Sequence, residues 1–205
     1  MKFQQPFFSC YFTLSTHVPY DIPTYFPIDW GGSENLYLNS AAYADRQLGR
    51  FFEEIEKTTI YDSTVFIFVS DHGHHTPANH DYDSPEHHHI PLLIYGGALK
   101  EEFGGVKNDI LGSKLDVAST LLHQLEIKCD DFVWSKNLMN PYTSPFAFYI
   151  FNDGVGYLEP GKILIWNRKF ATHKKNNGTT MQEQDSLQKK GTALLQELMN
   201  DFLKR

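Results

Sequence analysis

The chain has 205 residues, a formal charge of −7 and 41% hydrophobic residues, the balance of a globular protein able to bury a sizeable core. That acidic balance excludes a basic nucleic-acid-binding stripe, and no run of 18 apolar residues is present to cross a bilayer. Cys10 and Cys129 stand far apart in unlike contexts, so they form neither a disulfide framework nor a zinc knuckle.

Residues 1–5 have none of the charged, apolar and small-residue order of a secretion signal. Residues 6–14 (PFFSCYFTL) form a nearly unbroken apolar-aromatic run, which predicts a strand buried on both faces with Cys10 in the core. A Pro-punctuated loop follows, STHVPYDIP, and residues 24–32 end it in a Gly pair. Ser33 is read as the N-cap of a helix running to about Lys57, with Leu36, Ala41, Ala44, Leu48, Phe51, Phe52 and Ile55 at helical spacing.

Residues 64–69 (TVFIFV) predict a second buried strand and residues 91–95 (PLLIY) a third, closed by Gly96-Gly97. Residues 116–126 read as an amphipathic helix. From Phe146 onward, short β-like pieces alternate with the turns Asn152-Asp153-Gly154 and Glu159-Pro160-Gly161, the pattern of an antiparallel meander. A polar loop over 172–180 leads into a final helix over 185–204, with Leu187, Leu194, Leu195, Leu198, Phe202 and Leu203 on its apolar face. This order predicts an α/β domain over 1–140, its sheet flanked by helices, and a small antiparallel sheet plus terminal helix over 141–205.

Chemistry concentrates after the second strand, where Ser70-Asp71-His72-Gly73 enters a loop. Open α/β sheets bind ligands beyond the carboxyl ends of their strands. Asp71 offers a hard anionic oxygen and His72 a borderline nitrogen, a combination suited to Zn²⁺ or Mn²⁺. Gly73 allows a sharp turn beside the ion. Seven of the ten histidines fall between residues 70 and 90: His72, His74, His75, His80, His87, His88 and His89. Treated as an extended run, His87 to His89 can send at most one or two rings toward one centre. His17, past the end of the first predicted strand, reaches the same rim as Asp71 if the two strands run parallel.

In order and spacing, FTLSTHVPYDIP, TVFIFVSDHG, HIPLLIYGGALK and SKNLMNPYTSPFAFYIFNDGVGYL resemble the C-terminal part of the sulfatase branch of the alkaline phosphatase superfamily. The likeness is strongest to the bacterial lipoteichoic acid synthase and phosphoglycerol transferase subfamily. It implies an alkaline phosphatase-like fold with a largely parallel sheet, and cleavage or transfer of a sulfate or phosphate ester through a covalent enzyme intermediate. By the same resemblance Asp71 and His72 match metal ligands for Zn²⁺, Mn²⁺ or Ca²⁺. His17 matches a histidine contacting the transferring or leaving group, and His80 falls near a further substrate-facing histidine. The implied substrate is a small or lipid-linked ester, and the implied location an extracytoplasmic domain of a bacterial membrane protein.

The family's further acidic ligands and its Thr or formylglycine nucleophile come from the N-terminal half of its catalytic domain. Neither Cys10 nor Cys129 has the Cys-x-Pro-Ser-Arg surroundings of a formylglycine precursor. The expectation is therefore half an active site, inactive alone. Two other readings stay open: a noncatalytic zinc- or anion-binding module built on the histidine loop, and a plain structural domain.

Overall fold

Two of the predicted apolar runs become hydrogen-bonded neighbours, β1 (Phe66–Val69) and β2 (Leu92–Tyr95). The computed structural model describes residues 6–24, 27–32, 34–76, 78–169, 172–173 and 180–204. Ser33 and most of the loop expected over 172–180 lie outside the described residues. The chain divides into two compact units. One holds residues 1–68, 76–79 and 91–106; the other holds 69–75, 80–90 and 107–205.

In the first unit, helix α1 (Glu34–Ile55) begins where polar side chains take over the backbone. Asn39 accepts from the Ile28 amide at 3.1 Å and donates to its carbonyl at 3.0 Å, while Asn35 accepts from the Trp30 amide at 2.9 Å. The C-terminal turn of α1 packs by ring contacts: Phe52 meets Phe66, Phe68 and Tyr95 with centroids 5.1, 5.7 and 5.0 Å apart. Edge-on geometries of this kind suit aromatic quadrupoles. The Tyr95 hydroxyl donates to Glu56 at 2.9 Å, and hydrogen bonding with Tyr61, then with Glu56, pushes its pKa well up.

Residues 6–14 depart from expectation. They form no regular strand, and Phe8, Tyr11, Phe12 and Leu14 are exposed, as is Cys10. A strand needs a ladder partner for its amides, and among the described residues none pairs with this segment. β1 and β2, which pair only with each other among the described residues, are partly covered, with Leu93 exposed.

The second unit carries the buried apolar side chains of the described residues: Val155, Tyr157, Leu164, Ile165 and Leu187. Strands β3 (Ala147–Phe151), β4 (Gly154–Glu159), β5 (Lys162–Asn167) and β6 (Thr172–His173) form the predicted meander in order, each pair antiparallel. Helix α4 (Met181–Lys204) lays Leu187 and Leu194 on it. The helix starts four residues before the expected position because Thr180 and Glu183 make a capping box. The Thr180 amide donates to Glu183 at 2.8 Å, and the Glu183 amide returns to the Thr180 hydroxyl at 3.3 Å. Lys162 adds an ion pair that holds the Glu183 carboxyl down to about 2. Phe202 and Leu203, expected on the apolar face, are exposed.

Helix α3 (Asp116–Gln124) is tied to the segment before β3 through a buried carboxylate. Asp116 accepts from the amides of Ser113 (2.7 Å) and Lys136 (2.8 Å) and from the Lys136 ammonium (2.7 Å). That ammonium also donates to the Phe146 carbonyl at 3.1 Å and lies 4.0 Å from the Phe146 ring centre.

Candidate metal and ester site

Asp71 and His72 follow β1 directly, in a tight bend, with both side chains largely exposed. Their polar atoms are already sorted. Asp71 Oδ1 accepts from the His72 amide at 2.9 Å, which leaves Oδ2 outward. His72 Nδ1 lies 2.8 Å from the Gly73 carbonyl. A carbonyl only accepts, so the hydrogen sits on Nδ1 and Nε2 carries the lone pair. That arrangement fixes the tautomer and ring direction as in carbonyl-oriented histidine ligands. The two remaining donor atoms, Asp71 Oδ2 and His72 Nε2, stand 3.7 Å apart. They fit two positions of a divalent ion's coordination sphere. Among the described residues, no third His, Cys, Asp or Glu joins them in a metal-holding group.

The turn is packed from behind. A Cβ at Gly73 would lie 1.8 Å from the carbonyl oxygen of His87, so only glycine lets these backbones meet. His87 belongs to the one-turn helix α2 (Pro85–His88), started by Ser84 as N-cap and Pro85 at its first position. The histidine triplet is therefore helical for two of its members, not extended as the sequence suggested. His87 turns inward and is buried, His88 is half-buried, and His89 is exposed.

Tyr149 of β3 holds this helix. Its ring stacks on His88 with centroids 4.0 Å apart, and its hydroxyl donates to the Asp83 carbonyl at 2.7 Å. The ring lies flat across β4 at Gly156, where any Cβ would fall 1.9 Å from Tyr149 Cζ. Burial, then the charges of Asp83 and Glu86, push the Tyr149 phenol well up. Burial also lowers the pKa of His74, His87 and His88. The charges of His75, His72 and His80 lower His87 further, after that of His88, so these rings share one electrostatic neighbourhood. Nδ1 of His87 has no hydrogen-bond partner among the described residues.

His80 is half-buried within this neighbourhood. His17 lies in the first unit, exposed, in a turn closed by its amide to the Leu14 carbonyl (3.0 Å) and by the Tyr20 amide to its own carbonyl (2.7 Å). Its Nδ1 sits 2.7 Å from the Val18 carbonyl, which leaves Nε2 outward. Sequence reasoning did not single out Tyr149, whose role depends on a glycine across the sheet. Nor did it single out Lys114, whose exposed ammonium donates to the Asp71 carbonyl from 43 residues downstream. No local pattern in the sequence signals either contact.

A family model described as "Sulfatase" matches residues 1–127. The chain is 31% identical over 150 residues to lipoteichoic acid synthase 2 of Bacillus subtilis, covering 64% of this chain and 22% of that protein. It is 30% identical over 123 residues to an arylsulfatase of Clostridium perfringens, covering 56% and 25%. A solved protein of the alkaline phosphatase superfamily from Vibrio parahaemolyticus superposes with a TM-score of 0.67 at 21% identity, covering 92% of this chain and 48% of that one. The fold is thus that of the alkaline phosphatase superfamily. The chain spans about a quarter of the length of the curated relatives it matches.

Proposed function

Because this chain belongs to the sulfatase family, we propose that it supplies the Asp71–His72 part of a metal-dependent active site that cleaves or transfers a sulfate or phosphate ester. The observation that carries the reading is the preset pair of donors, Asp71 Oδ2 and His72 Nε2, 3.7 Å apart with their other polar atoms occupied. A bound divalent ion would neutralise charge on the ester's nonbridging oxygens and favour ionisation of a nucleophile. Asp71 and His72 hold their donor atoms outward for it. By the family likeness His17 is the histidine for the transferring or leaving group; with its Nδ1–H on the Val18 carbonyl, its Nε2 protonates a leaving oxygen only from the imidazolium form. His80 contributes a second substrate-facing imidazole. Zn²⁺, Mn²⁺ and Ca²⁺ each accept such oxygen-containing donor sets, with the imidazole favouring the first two.

The likenesses to a lipoteichoic acid synthase and to an arylsulfatase support a phosphate or sulfate ester, small or lipid-linked, as the substrate class. The first of these also supports a parent protein whose catalytic domain faces outward from a bacterial membrane. Among the described residues no helix is long and apolar enough to cross a membrane. The 205 residues alone bind the ion weakly and do not turn over ester, since two protein ligands are fewer than the three usual for a catalytic zinc.

Mn²⁺ titration of the purified chain, read by its free-ion electron spin resonance signal, tests the pairing. Weak binding that Asp71→Ala and His72→Ala each abolish is expected; binding that survives both refutes it. The buried, unpartnered His87 Nδ1 favours one competing reading, a noncatalytic module on the histidine loop. That reading predicts binding that survives Asp71→Ala and is lost on His87→Ala.

A further inference from the structure

Lys114 stands in the lead-in to α3, where the backbone is set by the buried Asp116 carboxylate. Asp116 is 1% exposed and accepts from the Ser113 amide and hydroxyl on one side of Lys114. It also accepts from the amide and ammonium of Lys136. The turn 113–116 is thereby clamped, and from it the Lys114 side chain reaches back to the carbonyl oxygen of Asp71. That acceptor is a neutral peptide oxygen, and no carboxylate among the described residues forms an ion pair with Lys114. An ammonium carries three donors. One goes to the backbone carbonyl of Asp71, the residue whose side chain carries Oδ2, and the ammonium is otherwise exposed.

A cation held there serves no purpose in retaining a metal, since like charges repel. It does suit an anion that arrives together with the metal. We propose that Lys114 is an anion-contacting residue of the Asp71–His72 site, donating to a nonbridging oxygen of the phosphate or sulfate group while it steadies the Asp71 turn. This rests on the reading of Asp71 and His72 as metal ligands. A plain strut between α3 and the turn is the competing role, and the two differ in what removal of charge does. A strut needs a donor, whereas an anion contact needs the positive charge.

The test uses the full 205-residue chain with Mn²⁺ and inorganic phosphate as probes, comparing wild type with K114Q, K114R and D71A. Mn²⁺ affinity is read by electron spin resonance, and phosphate binding to the Mn²⁺-loaded chain by ³¹P relaxation. K114Q retains an N–H donor for the Asp71 carbonyl but has no charge. Lys114 is exposed, so an unchanged melting midpoint is expected and checks the fold. Phosphate affinity should fall about tenfold in K114Q, the scale of one charge-assisted hydrogen bond, and stay within about threefold in K114R. Mn²⁺ affinity in K114Q should be unchanged or higher, because a repelling cation is gone. Equal loss of Mn²⁺ and phosphate binding in K114Q assigns the strut role and overturns the proposal. So does phosphate binding that K114Q leaves unchanged, or that wild type lacks, while D71A still abolishes Mn²⁺ binding; in those cases only the Lys114 assignment fails. Mn²⁺ binding indifferent to D71A removes the metal reading itself, and Lys114 with it.

Discussion

Replacing Lys136 with Met tests whether the buried ion pair organises the second unit. Lys136 is 16% exposed and Asp116 1%. The substitution removes the 2.7 Å ion pair, the bond to the Phe146 carbonyl and the cation–ring contact together. The Asp116 carboxylate keeps the amides of Ser113 and Lys136 but loses its countercharge. Breaking one side of a buried pair costs about 3–5 kcal/mol, because the remaining charge stays desolvated. Against a total stability of about 5–15 kcal/mol, that is a large fraction. With a urea slope of about 2 kcal/mol per molar, the unfolding midpoint should drop by roughly 1.5–2.5 M. Fluorescence of Trp134, whose indole donates to Asp201 at 2.9 Å in the same unit, reports the transition. D116N/K136M should recover part of the loss, with a coupling of about 1 kcal/mol or more. A K136M stability within about 1 kcal/mol of wild type, or strict additivity in the double variant, would show that the pair is not what ties α3 to the segment before β3.

Gly73→Ala should weaken Mn²⁺ binding about tenfold or more, because a methyl 1.8 Å from the His87 carbonyl must displace the turn that carries both donors; unchanged affinity in a titration would show that the turn is not held from behind. Chain stability should decline as pH falls below the ordinary histidine value of 6.5, since burial lowers the folded-state pKa of His87 and His88. A depressed histidine contributes stability that is fully present above its unfolded pKa and is lost as pH falls through the folded one. Thermal midpoints between pH 7.5 and 5 check this, and His88→Asn should flatten the slope. Thr180→Ala should cost about 1 kcal/mol by removing one half of the α4 capping box, and a midpoint equal to wild type would place the helix start under tertiary control alone.

Periodicity in the sequence located α1, α3, the meander and the two strands β1 and β2 to within a few residues, because each shows its own spacing of apolar positions. Residues 6–14 show what such reading leaves out. An apolar run signals willingness to be buried, but a strand also needs a neighbour's amides and carbonyls, and those are not encoded in the run itself. The start of α4 was readable in Thr180-Met181-Gln182-Glu183, a Thr-x-x-Glu capping pattern; apolar spacing begins only at Leu187 and drew the boundary inward. Among His87, His88 and His89 nothing local distinguishes the rings. Ser84 and Pro85 decide the matter by starting a helical turn, which rotates successive residues by about 100° instead of alternating them.

The proposed donor pair was readable as a candidate because its pattern is local: Asp and His adjacent, Gly next, a strand before. Its rigidity was not, because that comes from distant residues. Two exposed side chains would ordinarily sample several rotamers, and ordering them on an ion would cost part of the binding free energy. Here Asp71 Oδ1 is held by the neighbouring amide and His72 Nδ1 by the Gly73 carbonyl. The turn beneath them is held in its own right by Lys114 on the Asp71 carbonyl and by the His87 backbone against Gly73. Each hold leads back to a buried anchor: Lys114 to the Asp116–Lys136 pair, and the α2 turn to Tyr149 lying over Gly156. The meander and α3 thus brace the bend in which Asp71 Oδ2 and His72 Nε2 lie 3.7 Å apart. Loosening an anchor should reduce ion affinity without touching either donor. Tyr149→Phe separates this from a purely local site. It keeps the ring on His88 and removes only the bond to the Asp83 carbonyl. If the scaffold sets the pair, Mn²⁺ affinity drops severalfold with Asp71 and His72 intact; if affinity is indifferent to Tyr149→Phe, the bend alone presets the donors.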